Sequence, residues 1–270
     1  MRLLVEDDGP VEDFDSPAHS LTESLFNKSS PSDDVSTVQS SQEGLPYLWT
    51  KYVENVDPIM KVLHVPTSQA VVEKAIASPQ GVPKDQQCLL AAVKFAAVSS
   101  LSDEDCLAYL NTSRLQLLSF FRSEVHSTLK RSNYLVSHNF VTLQALVIYL
   151  VCNRRHENPR LMWILSGITI RLAQSIGLHR DGAFLGLPIF ATEIRRRLYW
   201  EIRMLDLACA EDSGFLPTHI YGSDTRLPLN INDKDLNQGD SEWPVSSTAF
   251  TETTFALIRV SDDVSYRTFV

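Results

Sequence analysis

Hydrophobic residues recur at steps of three and four positions along most of the chain after residue 45, with capping residues and helix breakers between the stretches. Because an α-helix repeats every 3.6 residues, this pattern predicts a series of helices that pack through their apolar faces. Two stretches are apolar on nearly all sides and are predicted to lie in the core, 84–99 and 140–152. The other predicted helices are 67–77, one beginning after Ser102, 112–131, 160–176, one capped by Thr192 and one beginning within 250–260.

The helical period stops after Asp212. Leu227, Leu229 and Ile231 then alternate with polar residues and a proline, which predicts an extended segment over 224–232. Proline cannot donate to a sheet ladder, so we expect this segment to lie along the helical body and not inside a sheet. No convincing sheet pattern occurs elsewhere. The predicted fold class is therefore all-α, a single multi-helix domain with an extended segment near 224–232.

The first 44 residues differ in composition from the rest of the chain. They carry ten acidic residues against two basic ones, with serine and proline throughout. Such a segment buries too little apolar surface to offset its ordering entropy, so we predict a disordered tail over 1–44 and a helical domain over 45–270. An acidic interaction tail anchored by Leu21, Leu25 and Phe26 is the alternative. Nearly all of the net charge of −9 lies in this tail, so the globular part is close to neutral.

The most distinctive charged element is the run Arg195–Arg197, which is followed by Tyr199 and Trp200. Arginines beside aromatic residues are able to contact phosphate or stack on bases. The favoured interpretation is structural, with Arg197 on an exposed helix face opposite the apolar line. The spacing then predicts surface pairs between Glu193 and Arg197, Arg197 and Glu201, and Arg203 and Asp206. Trp200 is expected to be buried against the segment after Asp212.

No local motif predicts catalysis, a cofactor or a metal. The cysteines Cys88, Cys106, Cys152 and Cys209 lack zinc-site spacing and are expected to be reduced and mostly buried. The seven histidines, at 19, 64, 126, 138, 156, 179 and 219, also lack metal-ligand spacing. Two short matches lack the context that their chemistry requires: the kinase-like His179-Arg180-Asp181 and the aspartic-protease-like Asp212-Ser213-Gly214. We therefore predict no catalytic residues and no metal ligands, leave cofactor-binding residues unknown, and do not expect an enzyme.

The apolar runs of the chain are short. The longest, Ala145–Cys152, has eight residues, far fewer than the roughly 20 that a membrane-spanning helix needs. Acidic residues follow the third apolar residue at the N-terminus, which leaves no signal-peptide core. The sequence thus predicts a soluble protein that is neither secreted nor held in a membrane.

Six segments, in order and at similar spacing, resemble the middle regulatory domain of fungal transcription factors of the binuclear zinc-cluster class. Together they span about residues 45–260. They are VPT at 65–67, FAAVSSLS at 95–102, TLQAL at 142–146, RLAQSIGLHRDG at 171–182, EIRRRLYW at 193–200 and DTRLPLNIN at 224–232. Residues 2–7 also look like the linker that follows the zinc cluster in such proteins.

The resemblance implies an all-helical domain that regulates transcription in the nucleus, by sensing a ligand or by masking activation. In that family, DNA is contacted by a separate six-cysteine cluster that holds two zinc ions. This chain shows no such cluster, since its first cysteine is Cys88 in a predicted core helix. Accordingly we expect no zinc cofactor and no direct DNA binding by this chain. The similarity fades after Arg259, where Ser261-Asp262-Asp263 replaces expected helix, which suggests a truncated domain.

The leading hypothesis is a transcription regulator that acts through its helical middle domain without a DNA-binding module of its own. Its expected partners are the transcription machinery or a related factor, with a homodimer or heterodimer and a small-molecule effector as open possibilities. The alternative is a ligand-binding or dimerising partner that modulates a full-length factor. A helical enzyme with dispersed pocket residues is a further rival. Whether the chain is a natural stand-alone protein or a truncated gene product stays open at this level.

Overall fold

A computed structural model describes residues 44–218 and 222–267. Within these ranges the chain forms helices and no strands, which confirms the all-α prediction. The helices are α1 Leu45–Asn55, α2 Val65–Ala77, α3 Lys84–Ser100, α4 Asp103–Leu110, α5 Arg114–Arg131, α6 Phe140–Asn153, α7 Pro159–Ser175, α8 Ile189–Ser213 and α9 Thr254–Arg267. Short 3-10 turns lie at Pro79–Gly81, Arg154–His156 and Asp233–Asp235. The predicted disordered tail and its alternative anchors at Leu21, Leu25 and Phe26 lie outside the described residues.

Local capping residues define several helix starts as predicted. The Asn158 side chain accepts from the backbone N–H groups of the first turn of α7, and the Ser102 hydroxyl does the same for α4. The predicted cap Thr192 is wrong. Helix α8 already begins at Ile189, and the Thr192 N–H donates to the carbonyl of Pro188 at 2.9 Å. Thr192 is consequently a buried residue of the helix interior.

Helices α3 and α6 form the centre of the core, as their uniform apolar character predicts. They pack against each other, and α1 and α5 pack on α3. Phe95 of α3 meets Tyr149 of α6 edge to face, with ring centroids 5.1 Å apart. Cys88, Cys106 and Cys209 are buried free thiols, in agreement with the sequence, and Cys152 is half-buried.

Helices α7 and α8 pack against each other, and α8 also contacts α6 and α9. Residues 222–236, which we call the strap, run along α8; they include the predicted extended segment 224–232 and end in the 3-10 turn at Asp233–Asp235. The predicted break at Ser261-Asp262-Asp263 is wrong, because α9 continues through these residues to Arg267. Serine and aspartate each cost a helix less than about 1 kcal/mol, and Val260 of α9 is buried, so packing outweighs their weak propensity.

Among residues 44–218 and 222–267, no helix combines the length and the apolar character that crossing a bilayer requires.

Candidate functional site: a buried ionic clasp on helix α8

Most of the charged residues of α8 are buried in the protein interior. Of the predicted apolar line of the helix, Leu198 and Ile202 lie in the main hydrophobic core, whereas Ile194 packs with Ile231 and Leu236 of the strap. The opposite side of the helix, predicted to be exposed, is covered by the strap and by α9. Arg197 is only 3% exposed and Glu193 is fully buried, so the prediction of a solvent-exposed charged face is wrong. Six buried charged residues on this side form an arrangement that we call the clasp: Lys61, Asp181, Glu193, Arg196, Arg197 and Asp233.

One half of the clasp joins α8 to the strap through Arg197. Its Nη1 lies 2.7 Å from Oδ1 of Asp233, and its Nε lies 3.3 Å from Oε1 of Glu193. Lys61, between α1 and α2, places its Nζ 2.8 Å from the other carboxylate oxygen of Asp233. The same oxygen accepts from the N–H of Val65 at 2.7 Å. Asp233 therefore connects three parts of the chain that are far apart in sequence.

The other half joins α8 to the turn after α7. Arg196 binds Asp181 through two parallel bonds, Nε to Oδ2 at 2.8 Å and Nη2 to Oδ1 at 2.9 Å. Such bidentate pairs combine charge attraction with defined geometry. Asp181 also accepts from the backbone N–H of Arg226 in the strap at 2.9 Å. The turn packs closely on α8 at Gly182, where an added Cβ would lie 2.6 Å from Oγ1 of Thr192. Only glycine fits there without displacing the helix.

Aromatic residues of α8 hold the strap beside the clasp. Trp200 is 8% exposed and its Nε1 donates to the carbonyl of Arg226 at 2.9 Å, which confirms that it packs against the segment after Asp212. The Tyr199 hydroxyl bonds to the hydroxyl of Ser223. The N–H of Leu229 donates to the Glu193 carboxylate at 3.1 Å. The bonds from Trp200 and to Glu193 satisfy strap backbone groups that have no partner strand.

The charges of the clasp balance, with three carboxylates against three cations. Burial raises the pKa of Asp233, but attraction by Arg197 and Lys61 outweighs burial and leaves the pKa below its usual value. Burial likewise opposes ionisation of Asp181, yet its hydrogen bonds from Arg196 and from backbone N–H groups bring its pKa below the usual value. Both carboxylates are thus held in the ionised form.

Asp57 adds a seventh charge that the clasp does not balance. Its carboxylate contacts Lys61, which already serves Asp233, and its Oδ1 is buried without a hydrogen-bond partner. Burial is the main cause that raises the pKa of Asp57, to about 6, and Lys61 only partly opposes it. Asp57 therefore titrates closer to neutral pH than an ordinary aspartate does.

The predicted surface pairs are partly replaced by long-range contacts. The Glu193–Arg197 pair forms, but in the interior. Glu201 pairs with Arg259 of α9, with Nη2 3.2 Å from Oε1, and not with Arg197. Arg203 and Asp206 both bind the backbone of Thr218.

The sequence missed Lys61 and Asp233 because both lie in loops. One signal of a buried α8 was available in the sequence. Around residues 198, 199, 200 and 202 the helix carries apolar residues on all sides, which leaves no face there for solvent.

The short matches to catalytic motifs serve structural roles. Arg180 pairs with Asp224, Nε to Oδ2 at 2.7 Å, while Asp181 belongs to the clasp. Asp212 pairs with Arg154 at the end of α8, and Gly214 ends that helix with a φ of 69°.

The cavity beside the clasp holds only about 10 Å³, far too little for a substrate. In the described part of the chain, no group of three or more His, Cys, Asp or Glu is placed to hold a metal ion.

The arginine run is not available to nucleic acid in this arrangement. Arg196 and Arg197 are buried and paired, and Arg195 donates through Nη2 to the carbonyl of Ile176 at 2.7 Å. Two of the six segments that carry the family resemblance, 171–182 and 193–200, supply four of the six clasp residues, and a third, 224–232, forms most of the strap. What these segments share is therefore a way of fastening the strap to α8.

Comparisons with known proteins identify the family of this chain. The family described as "Fungal specific transcription factor domain" matches residues 49–261, a range that includes the whole clasp. The pyriculol/pyriculariol biosynthesis cluster transcription factor 1 of Pyricularia oryzae is 37% identical over 84% of this chain and 31% of its own length. The aurofusarin cluster transcription factor aurR2 of Gibberella zeae is 32% identical over 79% of this chain and 32% of its own length.

A third relative, the C6 finger domain transcription factor hasF of Aspergillus fumigatus, is 31% identical over 97% of this chain and 37% of its own length. The chain thus spans about a third of the length of these curated relatives. No solved structure matches it significantly. The family match covers most of the chain and all of the clasp, and so this chain belongs to the fungal specific transcription factor domain family.

Proposed function

We propose that this chain is the regulatory domain of a transcription regulator and that it acts in the nucleus. The observation that carries the proposal is the family match over 49–261, which encloses every residue of the clasp. The relatives are named as transcription factors, and hasF is named as a C6 finger domain transcription factor. The domain transmits or restrains activation through protein contacts, with the transcription machinery or a related factor as partner.

DNA recognition belongs to another module in this proposal. Arg196 and Arg197 are engaged inside the domain, so they contribute nothing to phosphate binding. The four cysteines of the 270 residues lie far apart and do not match a six-cysteine zinc cluster. We infer that a zinc cluster on another polypeptide or another part of a longer chain supplies DNA contact wherever the regulator needs it.

The target genes follow from the relatives by analogy. Two of them are named for a biosynthesis cluster or a metabolite cluster. We propose that this chain controls a biosynthesis gene cluster as well. Deleting its gene should change the transcripts of neighbouring biosynthesis genes together, as measured by RNA sequencing. Unchanged transcripts under conditions in which the gene itself is expressed would contradict the assignment to a cluster.

The regulatory activity is testable without the native DNA site. The chain is fused to an unrelated DNA-binding domain, and a reporter with the matching DNA site is measured in a fungal cell. We expect reporter transcription to rise or fall relative to the DNA-binding domain alone, because a regulatory domain acts wherever it is tethered. Reporter output equal to that of the DNA-binding domain alone, from a fusion that is soluble and helical by circular dichroism, would contradict the proposal.

A pair of variants links this activity to the clasp. Arg197→Ala removes a central cation, whereas Arg160→Ala removes an exposed arginine at the start of α7. We expect Arg197→Ala to change the reporter output and Arg160→Ala to leave it at the wild-type level. Equal outputs from both variants would mean that the clasp plays no part in regulation.

A further inference from the structure

A groove of about 720 Å³ lies between α7 and the loop that joins α5 to α6. Leu135 and Val136 of the loop form one wall, and Ile164 and Ile168 of α7 are on the other. Val136 is 75% exposed and Ile164 is 47% exposed, so apolar side chains face open space here. The volume lies within the range of sites that bind small molecules.

The face of α7 that lines the groove has a glycine at its centre. Ile164, Gly167, Ile168 and Arg171 follow one another at helical spacing along the groove, while the opposite face of α7 is buried in the core. A Cβ added at Gly167 would meet nothing within 4 Å. Glycine in a helix interior is unfavourable relative to alanine, and here no close packing requires it. The glycine thus keeps the floor of the groove open at a cost in helix stability.

The polar groups of the groove favour one sign of charge. Arg171 and His138 line it, and none of the described residues that line it is a carboxylate. In the described residues Arg171 forms no ion pair, and its side-chain contact is a 3.3 Å bond from Nη1 to Oε1 of Gln174. A guanidinium beside an apolar surface, with no carboxylate to neutralise it, suits a ligand that is mostly apolar and carries an anionic group.

We propose that this groove binds a small apolar molecule, aromatic or aliphatic, that bears one anionic group such as a carboxylate, sulfonate or phenolate. The apolar part lies along Ile164 and Ile168 over Gly167, and the anion pairs with Arg171. That such a molecule acts as an effector of transcription rests on the proposed function. The binding itself does not.

Two fluorescent probes that differ by one charge test the proposal. 1-Anilinonaphthalene-8-sulfonate is apolar and anionic, and N-phenyl-1-naphthylamine has the same rings without the sulfonate. Each is titrated into the purified chain and its dissociation constant is measured from the fluorescence. We expect saturable binding of both, with the sulfonate probe binding more tightly.

Substitutions at the floor and at the cation separate the two contributions. Gly167→Leu fills the groove and should remove saturable binding of both probes. Its fold should be retained because the new side chain meets open space and leucine is a better helix former than glycine. Arg171→Gln should weaken the binding of the sulfonate probe by about fivefold, the effect of losing one exposed ion pair, and leave the affinity for the neutral probe unchanged. Leu115→Ser, which changes a 78% exposed residue at the far end of α5, should leave both affinities unchanged.

Three results would overturn the proposal. Unchanged binding of both probes to Gly167→Leu would mean that they bind elsewhere. Unchanged binding of the sulfonate probe to Arg171→Gln would mean that the groove does not recognise an anionic group. A wild-type dimer by light scattering that becomes a monomer in Gly167→Leu would identify a second copy of the chain as the occupant.

The reporter assay distinguishes this failure from failure of the proposed function, since it uses no probe. If the chain regulates the reporter but binds neither probe, only the groove proposal is contradicted. If the chain binds both probes but leaves the reporter unchanged, only the proposed role in transcription is contradicted.

Discussion

Arg197 of α8 and Asp233 of the strap form an ion pair of 2.7 Å in the interior, although 36 positions separate them in the sequence. Both side chains are nearly inaccessible to solvent, with exposures of 1% and 3%. Two charges buried together attract each other, and removing one of them destabilises the fold because the other is left buried without a partner. The pair therefore fastens the strap to the helix and makes the attachment sensitive to single substitutions.

Arg197→Ala should lower the free energy of unfolding by about 3 to 5 kcal/mol, because it removes the cation that the buried Glu193 and Asp233 carboxylates share and leaves Asp233 with Lys61 alone. Urea unfolding followed by circular dichroism measures the loss. Arg160→Ala, at an exposed position, should change stability by less than about 0.5 kcal/mol. A loss below about 1 kcal/mol for Arg197→Ala would mean that the arginine is solvated and not buried. In a double-mutant cycle, adding Asp233→Asn should cost less in the Arg197→Ala background than in the wild type.

Trp200→Ala should cost about 3 to 5 kcal/mol, because it removes a large side chain buried under the strap. Trp200→Phe keeps much of the volume but removes the donor to the Arg226 carbonyl, so its cost should be smaller, about 1 to 3 kcal/mol. Chemical unfolding of both variants checks the order. Equal losses would show that the hydrogen bond and the ring volume do not contribute separately, and losses below about 1 kcal/mol in both would contradict the packing.

His126 should make the protein less stable in mild acid. Burial lowers the pKa of this histidine from 6.5 to about 3, and its Nε2 lies 2.7 Å from the Tyr149 hydroxyl. The Asn153 side chain donates to the same hydroxyl at 3.2 Å, which leaves the hydroxyl proton of the tyrosine available to a neutral imidazole. The unfolded state binds the proton first, so stability is retained above pH 6.5 and is lost as pH falls toward 3.

Comparison with His126→Gln isolates this effect. Between pH 7 and pH 5 the wild type should lose about 2 kcal/mol relative to the variant, as measured by urea unfolding at each pH. Stability curves of the two proteins that stay parallel over this range would mean that His126 is as accessible to protons in the folded state as in the unfolded state.

Asp57 should act in the opposite direction over the same range. Burial raises its pKa from 3.8 to about 6, so the folded state binds the proton more tightly than the unfolded state does. The stabilisation is complete below pH 3.8 and is lost as pH rises through 6. Relative to Asp57→Asn, the wild type should lose about 1 kcal/mol between pH 5 and pH 7. A difference between the two proteins that grows in favour of the wild type as pH rises would contradict the raised pKa. The variants are needed because the effects of His126 and Asp57 oppose each other in the wild-type curve.

Local features of the sequence were sufficient for most of the helices. The Asn158–Pro159 start of α7 and the Ser102 cap of α4 depend on side-chain bonds within one turn, so neighbouring residues contain the needed information. The core helices α3 and α6 were predictable for a related reason, since apolar residues on all sides have no stable position in water. The cap of α8 was predicted four residues late, at Thr192, because the N-cap position is occupied by Pro188.

The candidate sites were less accessible to local arguments. Glu201 illustrates the difficulty: its spacing from Arg197 matches an exposed i, i+4 pair, yet its partner is Arg259, 58 positions away. A charged helix face has the same local pattern whether water or another segment covers it. The groove also escaped prediction, because Gly167 looks like any interior glycine until the space above it is known.

By itself the sequence determined the all-α class, most helix boundaries, the extended course of 224–232 and the resemblance that the family match later bore out, because these depend on periodicity, capping and ordered motifs. Only the tertiary structure decided that the charged side of α8 is interior and that Arg196 and Arg197 bind Asp181 and Asp233. The physical reason is that the burial of a charge depends on segments that arrive from distant parts of the chain, and its free energy depends on the partners they bring.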